Sequence, residues 1–332
     1  MQPTIYDVAK QAGVSIATVS KVVNNKGRIG EQTKKKVISI MKELNYQPNA
    51  FAAALTGKST QTIGVIIPDL ANPYFAELAK CLEDEAHKMG FSLMICSTDN
   101  NSEKEETYIN LFIRKKVDGC ILASTLSNPQ LVTELAIQYM PVVLAGQAIL
   151  EKDLPAVSVH DQQGGYIATT HLTALGHQRI AIIMEPKAFS SLERLKGYKK
   201  ALKEAGLIYD ENLVLKADAT LMGGADAFRL FVDMEQPPTA IFACNDVLAI
   251  GVCQEAHRAS IHIPDELSII GFDNTILASV TSPPLTTVAQ PLREMSRQMI
   301  TTLLTSSNEK RGNQQFVFEP QLVNRQSTAK LN

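Results

Sequence analysis

Residues 4–25 read TIYDVAKQAGVSIATVSKVVNN, a stretch in which two short amphipathic segments are separated by a glycine. Thr4 followed by Asp7 predicts a capping box that begins the first helix. Gly13 suits a tight turn, where a Cβ atom would obstruct the chain, and Ser15 can cap a second helix. Two short helices joined by such a turn form a helix-turn-helix, so the stretch predicts this motif.

The same end of the chain carries an excess of positive charge. Residues 1–60 hold nine Lys and Arg side chains against three Asp and Glu, a net charge of +6, whereas the remaining residues carry −8. A third helix is predicted over about residues 31–45. Lys34, Lys35 and Lys36 crowd its first turn, where the helix dipole opposes positive charge, and a nearby phosphate backbone would remove that conflict. The pattern therefore favours a polyanionic partner over a solvated lysine face.

Eight stretches, the first of them the one quoted above, match motifs of a known family: TIYDVAKQAGVSIATVSKVVNN, YQPNAFAAALTGKST, IGVIIPDLANPYFAEL, LGHQRIAII, ERLKGYKKAL, FACNDVLAIGV, IIGFDN and PPLTTVAQP. In this order, and over nearly the whole chain from Thr4 to Ser327, the sequence resembles the LacI/GalR family of bacterial transcription regulators. Within that family it is most similar to the catabolite-control and degradation-regulator branch.

The resemblance implies three regions. Residues 1–47 would form an N-terminal all-α helix-turn-helix domain that binds DNA, and residues 48–60 a hinge helix and linker. Residues 61–332 would form an effector-binding and dimerisation domain, a two-subdomain α/β body with parallel sheets like that of periplasmic binding proteins. The family further implies a homodimer or a tetramer that binds double-stranded operator DNA.

The resemblance assigns DNA contact to residues of the first two regions, namely Thr4, Tyr6, Ser15, Ile16, Ala17, Thr18, Lys21, Asn24, Asn49 and Leu55. Ile16 and Ala17 offer only apolar contact, which suits a thymine methyl group, while Lys21 can donate to O6 or N7 of guanine. Relatives often carry Arg at the position of Lys21. Because Lys lacks the planar fork of Arg, we expect softer discrimination there. The hydroxyl and amide side chains at positions 15, 18 and 24 suit phosphate contacts.

The linker, residues 48–60, contains a short Ala-rich segment that Asn49 can cap. A helix of about two turns is marginal alone in water. The resemblance implies that it folds on operator DNA, pairs with its dimer mate and inserts Leu55 into the minor groove, which would kink the duplex. Alternatively, its apolar side chains only dock the first region onto the body. Relatives commonly carry Arg where Ala53 stands, so one hinge contact is expected to be missing.

From about Thr62 the chain alternates apolar runs with helical stretches, which predicts parallel strands covered by helices. The runs fall into two sets, at 63–67, 92–96, 119–123 and 142–145, and at 180–184, 213–215, 240–243 and 267–271. Two sets predict two α/β subdomains, at residues 61–161 plus about 291–320 and at residues 162–290. The family pattern implies chain crossings near Asp161, residues 242–246 and residues 287–291, with the last segment returning to the first subdomain.

Ligands of open parallel sheets bind beyond the carboxyl ends of the strands. The candidate effector contacts at such positions are Asn72, Tyr74, Phe75, Asp161, Arg194, Asn245 and Asp273. The resemblance carries effector contact most directly onto four of these: Phe75, Arg194, Asn245 and Asp273. Aromatic rings that stack, together with polar groups that bond hydroxyls, suit a sugar or a nucleobase. Arg194 and Asp273 are both expected to face the gap between the subdomains, where they would grip a ligand or simply pair with each other.

Three functions remain open from the sequence. The first is an operator-binding regulator, most simply a repressor, whose body senses a small molecule; the second is the same fold with a protein coregulator. The third is a sugar-binding protein or enzyme with an unrelated basic head. No catalytic residue is assigned, since the sequence lacks a Gly-rich phosphate loop, a Gly-x-Ser-x-Gly elbow and His-Glu-x-x-His. Only Asp246 and Asp273 could mimic the acid pair of a glycosidase.

The five cysteines are scattered without a Cys-x-x-Cys pair, and the six histidines show no i, i+4 pair. They predict free thiols in a reducing compartment, and neither a metal site nor a cofactor is expected. No stretch approaches the roughly 20 consecutive apolar residues of a membrane span, and the N-terminus lacks an apolar signal core. The sequence therefore predicts a cytoplasmic protein.

Overall fold

A computed structural model describes residues 3–23, 27–46, 59–123, 126–146, 154–186, 188–305 and 314–331. The chain divides into two compact units, residues 1–60 and residues 61–332. The predicted hinge helix and three of the predicted DNA contacts, Asn24, Asn49 and Leu55, lie outside the described residues.

The first unit contains three helices: α1 (Ile5–Ala12), α2 (Ile16–Val23) and α3 (Glu31–Glu43). The backbone N–H of Thr4 donates to Oδ2 of Asp7 at 2.8 Å, which caps α1. Gly13 ends this helix with a positive φ of 66°, and Oγ of Ser15 accepts from the Thr18 N–H at 3.1 Å at the start of α2. The predicted helix-turn-helix is confirmed, because each capping group stands where the sequence requires it.

A small apolar core holds these three helices together. Its buried members are Val8, Ala9, Ala12, Val19, Val22, Val37 and Ile40. Each helix contributes residues at helical spacing, so one stripe of each is buried and the opposite face is left in solvent.

The second unit begins with the strands of a first sheet and the helices that connect them: β1 (Thr62–Ile67), α4 (Pro73–Lys88), β2 (Ser92–Ser97), α5 (Ser102–Lys115), β3 (Gly119–Leu122), α6 (Pro129–Glu134), β4 (Val142–Ala145) and β5 (Ala156–Val159). A π-helical turn, Leu135–Tyr139, follows α6. The sheet is completed from the far end of the chain by β11 (Gln315–Phe318). Its strand order is β11-β5-β4-β3-β1-β2, and every pairing is parallel.

A second sheet is built from the middle of the chain. Its elements are α7 (Asp161–Ala174), β6 (Ile180–Met184), α8 (Phe189–Glu204), a 3₁₀ turn (Glu211–Leu213), β7 (Val214–Lys216), α9 (Leu221–Val232), β8 (Ala240–Ala243), α10 (Asp246–Arg258), β9 (Ser268–Asp273), α11 (Ile276–Val280) and β10 (Thr286–Ala289). Helix α12 (Leu292–Thr305) and strand β12 (Gln321–Val323) follow later in the chain. The strand order is β12-β10-β9-β8-β6-β7, with β12 alone antiparallel.

Both sheets are covered on two faces, which confirms the predicted α/β body with parallel sheets. Helices α4 and α12 pack on one face of the first sheet and α5 and α6 on the other. Helices α9 and α10 cover one face of the second sheet, and α7 and α8 the other. The sequences of strands that are buried on both faces are continuous apolar runs. Strand β6, IAIIM, is an example, since all five of its residues are buried. No helix among the described residues is both long and apolar enough to cross a membrane.

The chain passes between the sheets three times. It leaves the first sheet after β5 at His160, returns at Gln290 to enter α12, and crosses again at Pro320 between β11 and β12. The predicted crossing at residues 242–246 is wrong, because β8 pairs with β6 and β9 in the second sheet and leads directly into α10 of the same subdomain. The third crossing was not predicted.

The last residues of the chain complete the second subdomain rather than the first. Oγ of Ser327 donates to the Ile269 carbonyl at 2.6 Å and accepts from the Thr286 N–H at 2.8 Å. Ser327 itself is fully buried. A short C-terminal segment therefore supplies both an edge strand and internal hydrogen bonds to a subdomain that begins about 160 residues earlier.

Two glycines allow α7 and α8 to lie unusually close together. A Cβ atom on Gly165 would stand 2.1 Å from the carbonyl oxygen of Arg194, and one on Gly197 would stand 2.0 Å from that of Gln162. Both distances are far below any van der Waals contact, and the atoms met are backbone. The two helices therefore touch backbone to backbone, and this contact sets the position of the first turns of α8.

We expect Gly197→Ala to lower the free energy of unfolding by about 1–3 kcal/mol, because the new methyl group forces α7 and α8 apart. The gain in helix propensity, about 1 kcal/mol, offsets only part of this cost. Urea unfolding measures the difference. Lys203→Ala, on the exposed face of α8, is the control and should change stability by less than about 0.5 kcal/mol. Equal stability of the Gly197→Ala and parent proteins would contradict the close backbone contact.

Candidate functional site

One face of α2 is left uncovered by the rest of the first unit. Val19 and Val22 point into the core, whereas Ile16 on the opposite face is 40% exposed, and Ala17 and Lys21 beside it are exposed as well. The predicted DNA contacts that the structure describes all reach solvent: Thr4, Tyr6, Ser15, Ile16, Ala17, Thr18 and Lys21. An exposed helix face of this kind is free to enter a groove.

Polar and positive groups gather at the turn that precedes this face. The hydroxyl oxygens of Ser15 and Thr18 lie 2.9 Å apart. Nζ of Lys36, from the first turns of α3, lies 3.9 Å from the position that a Cβ atom would take on Gly13. Hydroxyls, helix N-terminal amides and an ammonium group together suit phosphate oxygens. The structure thus places exposed apolar side chains on α2 next to a rim of polar and positive groups.

A second set of functional groups lies at the carboxyl ends of the second sheet. The strand order β10-β9-β8-β6 places Gln290, Asp273, Asn245 and Glu185 in a row, since each follows or ends one of these strands. Neighbours in the row are bonded: Nε2 of Gln290 donates to Oδ1 of Asp273 at 2.8 Å, and Nδ2 of Asn245 donates to Oε1 of Glu185 at 2.9 Å. We call these four residues the cleft row.

Arg194 projects from the second turn of α8 and is 5% exposed. Its Nε and Nη2 atoms contact Oδ1 of Asp161 at 2.8 and 2.7 Å, and Nη1 donates to the Cys244 carbonyl. The guanidinium carbon lies 3.5 Å from the centroid of the Phe272 ring, in a cation–π contact. The sequence predicted that Arg194 would pair with Asp273 or grip a ligand with it; the observed ion pair is with Asp161 instead, because α7 and α8 are in direct contact.

Burial and charge act against each other at this ion pair. Burial raises the pKa of Asp161, while the Arg194 guanidinium lowers it. Burial also disfavours the charge of Arg194, but Asp161 and Asp273 outweigh this effect and raise the pKa of the guanidinium. The guanidinium therefore stays charged in a site nearly closed to water, where its charge is balanced by a carboxylate 2.7 Å away.

The carboxyl group of Asp246, next to the cleft row, is engaged in hydrogen bonds within the second subdomain. It is fully buried, and its Oδ2 atom accepts from the N–H and hydroxyl of Thr275 at 2.7 and 3.0 Å, while Oδ1 accepts from the Thr287 hydroxyl at 2.6 Å. Burial raises the pKa of Asp246 to about 6, against these hydrogen bonds. An inaccessible carboxyl cannot protonate a glycoside, so the glycosidase-like pair with Asp273 is not formed.

Asp273 itself stands in a strained stretch of backbone. Its φ is 112° and that of Asn274 is 57°, both in the region that favours glycine. The surroundings hold this conformation, since Nη2 of Arg325 donates to Oδ1 of Asn274 at 2.6 Å. Burial raises the pKa of Asp273 well above its usual range, Arg194 lowers it, and the nearby Asp246 raises it further. A strained backbone and a buried carboxyl with a raised pKa at one position are typical of ligand sites.

The first subdomain supplies the opposite wall. Oδ1 of Asn72 accepts from the Tyr74 N–H at 3.0 Å, so Asn72 caps α4. The rings of Tyr74 and Phe75 meet edge to face with centroids 5.0 Å apart, and both side chains pack against the core of the first subdomain. The hydroxyl of Tyr74 donates to Oε1 of Gln290 at 3.4 Å. Tyr74 is thereby hydrogen-bonded to the cleft row, whereas the side-chain oxygen of Asn72 is engaged in capping α4.

A second hydrogen bond joins the two subdomains beside this wall. Oε1 of Glu77, on α4, accepts from the backbone N–H of Ile276 at 2.7 Å. Ile276 is the first residue of α11 and stands three positions after Asp273. Glu77 therefore connects the first subdomain to the strained stretch that carries a predicted effector contact.

Sequence reasoning missed four residues of this site: Glu185, Phe272, Gln290 and Glu77. Phe272 and Gln290 lie inside the stretches IIGFDN and PPLTTVAQP, but the sequence did not indicate that Phe272 covers the Arg194 guanidinium or that Gln290 bonds Asp273. Glu185 follows the apolar run at 180–184, and the rule that ligands bind beyond strand ends would have selected it. Glu77 carried no signal, because its partner is a backbone amide 199 residues away.

Known proteins resemble this chain over its whole length. The description "Bacterial regulatory proteins, lacI family" fits residues 4–49, and "Periplasmic binding protein-like domain" fits residues 169–328. The HTH-type transcriptional regulator DegA of Bacillus subtilis strain 168 is 45% identical, and the similarity covers all of both chains. The lac repressor dimer bound to operator and the anti-inducer ONPF superimposes with a TM-score of 0.87 at 27% identity, covering 99% of this chain and 100% of that one. A complex of the transcriptional regulator CelR with cellobiose superimposes with a TM-score of 0.75 at 29% identity, covering 98% and 99%.

We expect Asp246→Asn to remove a pH dependence of stability. Folding raises the pKa of Asp246 from 3.8 to about 6, so the stabilisation is complete below pH about 4 and is lost as the pH rises through about 6. Between pH 4 and 7 the free energy of unfolding of the parent protein should therefore fall relative to that of the variant, by up to about 3 kcal/mol. Urea unfolding at several pH values measures this difference, and parallel pH profiles would contradict the assignment.

Proposed function

Because this chain belongs to the LacI family of bacterial regulatory proteins and is a DNA-binding transcriptional regulator, we propose that it represses transcription as a homodimer on a pseudo-palindromic operator, under the control of a small-molecule effector. The observation that carries the proposal is the exposed face of α2, with apolar Ile16 and Ala17 beside Lys21. Its relatives are regulators rather than enzymes, and no residue is given a catalytic role. Its place of action is the cytoplasm, where the bacterial chromosome lies.

On this proposal α2 enters the major groove with its N-terminal residues at base edges. Ile16 and Ala17 contact thymine methyl groups, and Lys21 donates to a guanine. Thr4, Tyr6, Ser15 and Thr18 contact the sugar–phosphate backbone and set the register. The family resemblance extends the interface to Asn24 and Asn49, and to Leu55 as a minor-groove wedge.

A homodimer implies a symmetric operator and accounts for an exposed apolar surface of the body. Two-fold symmetry in the protein demands matching symmetry in the operator, so each half-site receives one α2. Ile276 and Val280 on α11 are 65% and 70% exposed. Large apolar side chains that neighbour each other in solvent favour contact with another protein surface, here a second copy of the chain. The lac repressor, a dimer on its operator, supports the same assembly.

The effector binds between the subdomains, in contact with the cleft row. Tyr74 and Phe75 offer ring edges and faces, and Asn245 and Asp273 offer polar groups within the part of the body that both subdomains enclose. The Arg194–Asp161 ion pair forms the floor of this site. CelR binds cellobiose, which supports a sugar, and the stacking rings equally suit a nucleobase. Ligand contact on both walls favours the closed arrangement, and closure is transmitted to the DNA-binding unit.

We expect Lys21→Ala to relax base preference at one position in each half-site, at a cost of about 1–3 kcal/mol per position. Lys35→Ala, which removes an exposed charge of α3, should instead weaken binding to all sequences alike and flatten the salt dependence. Selection of binding sites from random DNA, followed by gel shifts at several salt concentrations, tests both. A selected site without two-fold symmetry, or equal behaviour of the two variants, would contradict the proposal.

We expect Glu77→Ala to raise the effector concentration needed for half of the response about fivefold, since one hydrogen bond that favours closure is worth about 1 kcal/mol. The measurement is operator affinity against increasing amounts of a small-molecule extract of the bacterium. Glu83→Ala is the matched control, because Glu83 lies on the same helix and pairs only with exposed Lys80. An unchanged response in Glu77→Ala would show that this bond does not contribute to closure.

A further inference from the structure

The chain enters the body at one edge of the first sheet. Thr62, the first residue of β1, stands opposite Ser92 of β2, and Ile63 stands opposite Gly119 of β3, so the three parallel strands begin side by side. The Thr62 carbonyl accepts from the Asp118 N–H at 2.8 Å, and Oδ2 of Asp118 accepts from the Thr62 N–H at 3.0 Å. The residues just before β3 are therefore fixed beside the point of entry.

Three consecutive basic residues stand at this edge. Arg114 and Lys115 belong to the last turn of α5, Lys116 follows it, and all three side chains are exposed. We call these three residues the entry cluster. Lys116 is two positions from Asp118, so the Cα atoms of these residues are at most about 7 Å apart. Residues 61–332 carry a net charge of −8, so the entry cluster has the opposite sign to the body as a whole.

Lys116 occupies a backbone position that favours glycine. Its φ is 52°, in the left-handed region. The chain makes the same turn after α4, α7, α8 and α10, each time with one N–H bonded to the carbonyl three residues earlier and the next N–H to the carbonyl five residues earlier. The residues at those four turns are Gly90, Gly176, Gly206 and Ser260. Because Arg114 and Lys115 already place positive charge where the helix dipole favours it, neither the dipole nor the turn requires a lysine at position 116.

The covalent length of the chain limits how far this edge can be from bound DNA. On the proposed function Leu55 occupies the minor groove, and it stands seven positions before Thr62. Seven residues span at most about 25 Å, less than the roughly 34 Å of one helical turn of DNA. The duplex carries one negative charge per about 1.7 Å of its axis. The entry cluster therefore stays within one turn's length of a dense row of phosphates.

We propose that the entry cluster is a second DNA-binding site, at which Arg114, Lys115 and Lys116 of the body contact phosphate oxygens of the operator duplex. The inference rests on the proposed function, because it assumes that the first unit is bound to DNA. Guanidinium and ammonium groups form charge-assisted hydrogen bonds with phosphate, and each such contact releases condensed counterions. Exposed ion pairs within a protein are weak, so an exposed lysine exchanges a protein partner for a phosphate at little cost.

The entry cluster differs from α2 in what it contributes to binding. Contacts to phosphate fix the position of a protein on the duplex and carry no sequence information. The cluster therefore adds affinity and salt dependence, while the choice of bases remains with α2.

The variant Lys116→Gly tests the proposal and keeps the fold, because glycine suits the left-handed backbone. Affinity of the full-length protein is measured at several salt concentrations, on a site that the parent protein selects from random DNA. In a dimer, loss of one phosphate contact per protomer should reduce the slope of log K against log salt by about 2, and the affinity about tenfold or more at about 50 mM salt. Adding Arg114→Ala should reduce both further. Lys104→Ala, at the other end of α5, is the matched control and should change neither.

Phosphate ethylation locates the contact on the DNA. Ethylation of two phosphates related by the two-fold axis of the operator should weaken binding of the parent protein and of Lys104→Ala, but not of Lys116→Gly. The proposal is overturned if the three proteins give the same interference pattern. It is also overturned if Lys116→Gly lowers affinity with an unchanged salt slope, which is the result for a cluster that only contacts the linker. If the parent protein selects no site from random DNA, the proposed function fails, and this inference with it.

Discussion

Arg194 and Asp161 form an ion pair that is nearly excluded from water, at the point where the chain first enters the second subdomain. Asp161 is the first residue of α7, and Arg194 stands on α8, which touches α7 through glycine backbones. Breaking such a pair by removing one partner leaves a buried charge and costs about 3–5 kcal/mol. The pair therefore fixes how α7 leaves the crossing between the sheets. The close helix contact brings the two charges together, and the same guanidinium makes the cation–π contact with Phe272 and the bond to the Cys244 carbonyl.

The cleft row and the strained stretch after β9 form one connected structure. Asp273 lies in the row, while Ile276, three residues later, is bonded to Glu77 of the other subdomain. Buried Asp246 holds the intervening Thr275 by two hydrogen bonds. A displacement of Asp273 would therefore be passed on to the hydrogen bond between Ile276 and Glu77, because the segment between them is held in place. The cleft row and the hydrogen bond between the subdomains are thus only three residues apart in sequence.

Much of the fold could be predicted from the sequence because its determinants are local. Thr4, Gly13 and Ser15 define the first two helices by capping and turn geometry, and apolar runs define the strands of both sheets. The partner of Arg194 was predicted wrongly, since the sequence placed Arg194 opposite Asp273, and only the glycine contact between α7 and α8 brings Asp161 to it. The crossing wrongly expected at residues 242–246, and the contribution of Glu77, failed for the same reason. Both depend on strand order and long-range packing, which local patterns do not encode.

The three chain crossings also determine the order in which the parts of the protein can fold during synthesis. Residues 1–60 form a unit of their own, so they can fold while the rest is still being synthesised. The second subdomain, in contrast, includes Ser327, whose hydroxyl fills a buried position between Ile269 and Thr286. Its sheet lacks an edge strand and two internal hydrogen bonds until β12 and Ser327 have left the ribosome. A chain that stopped before β12 would thus keep an intact first unit on an incomplete body, and a nascent chain exposes the unfinished second sheet to chaperones and proteases from the synthesis of β6 until that of Ser327.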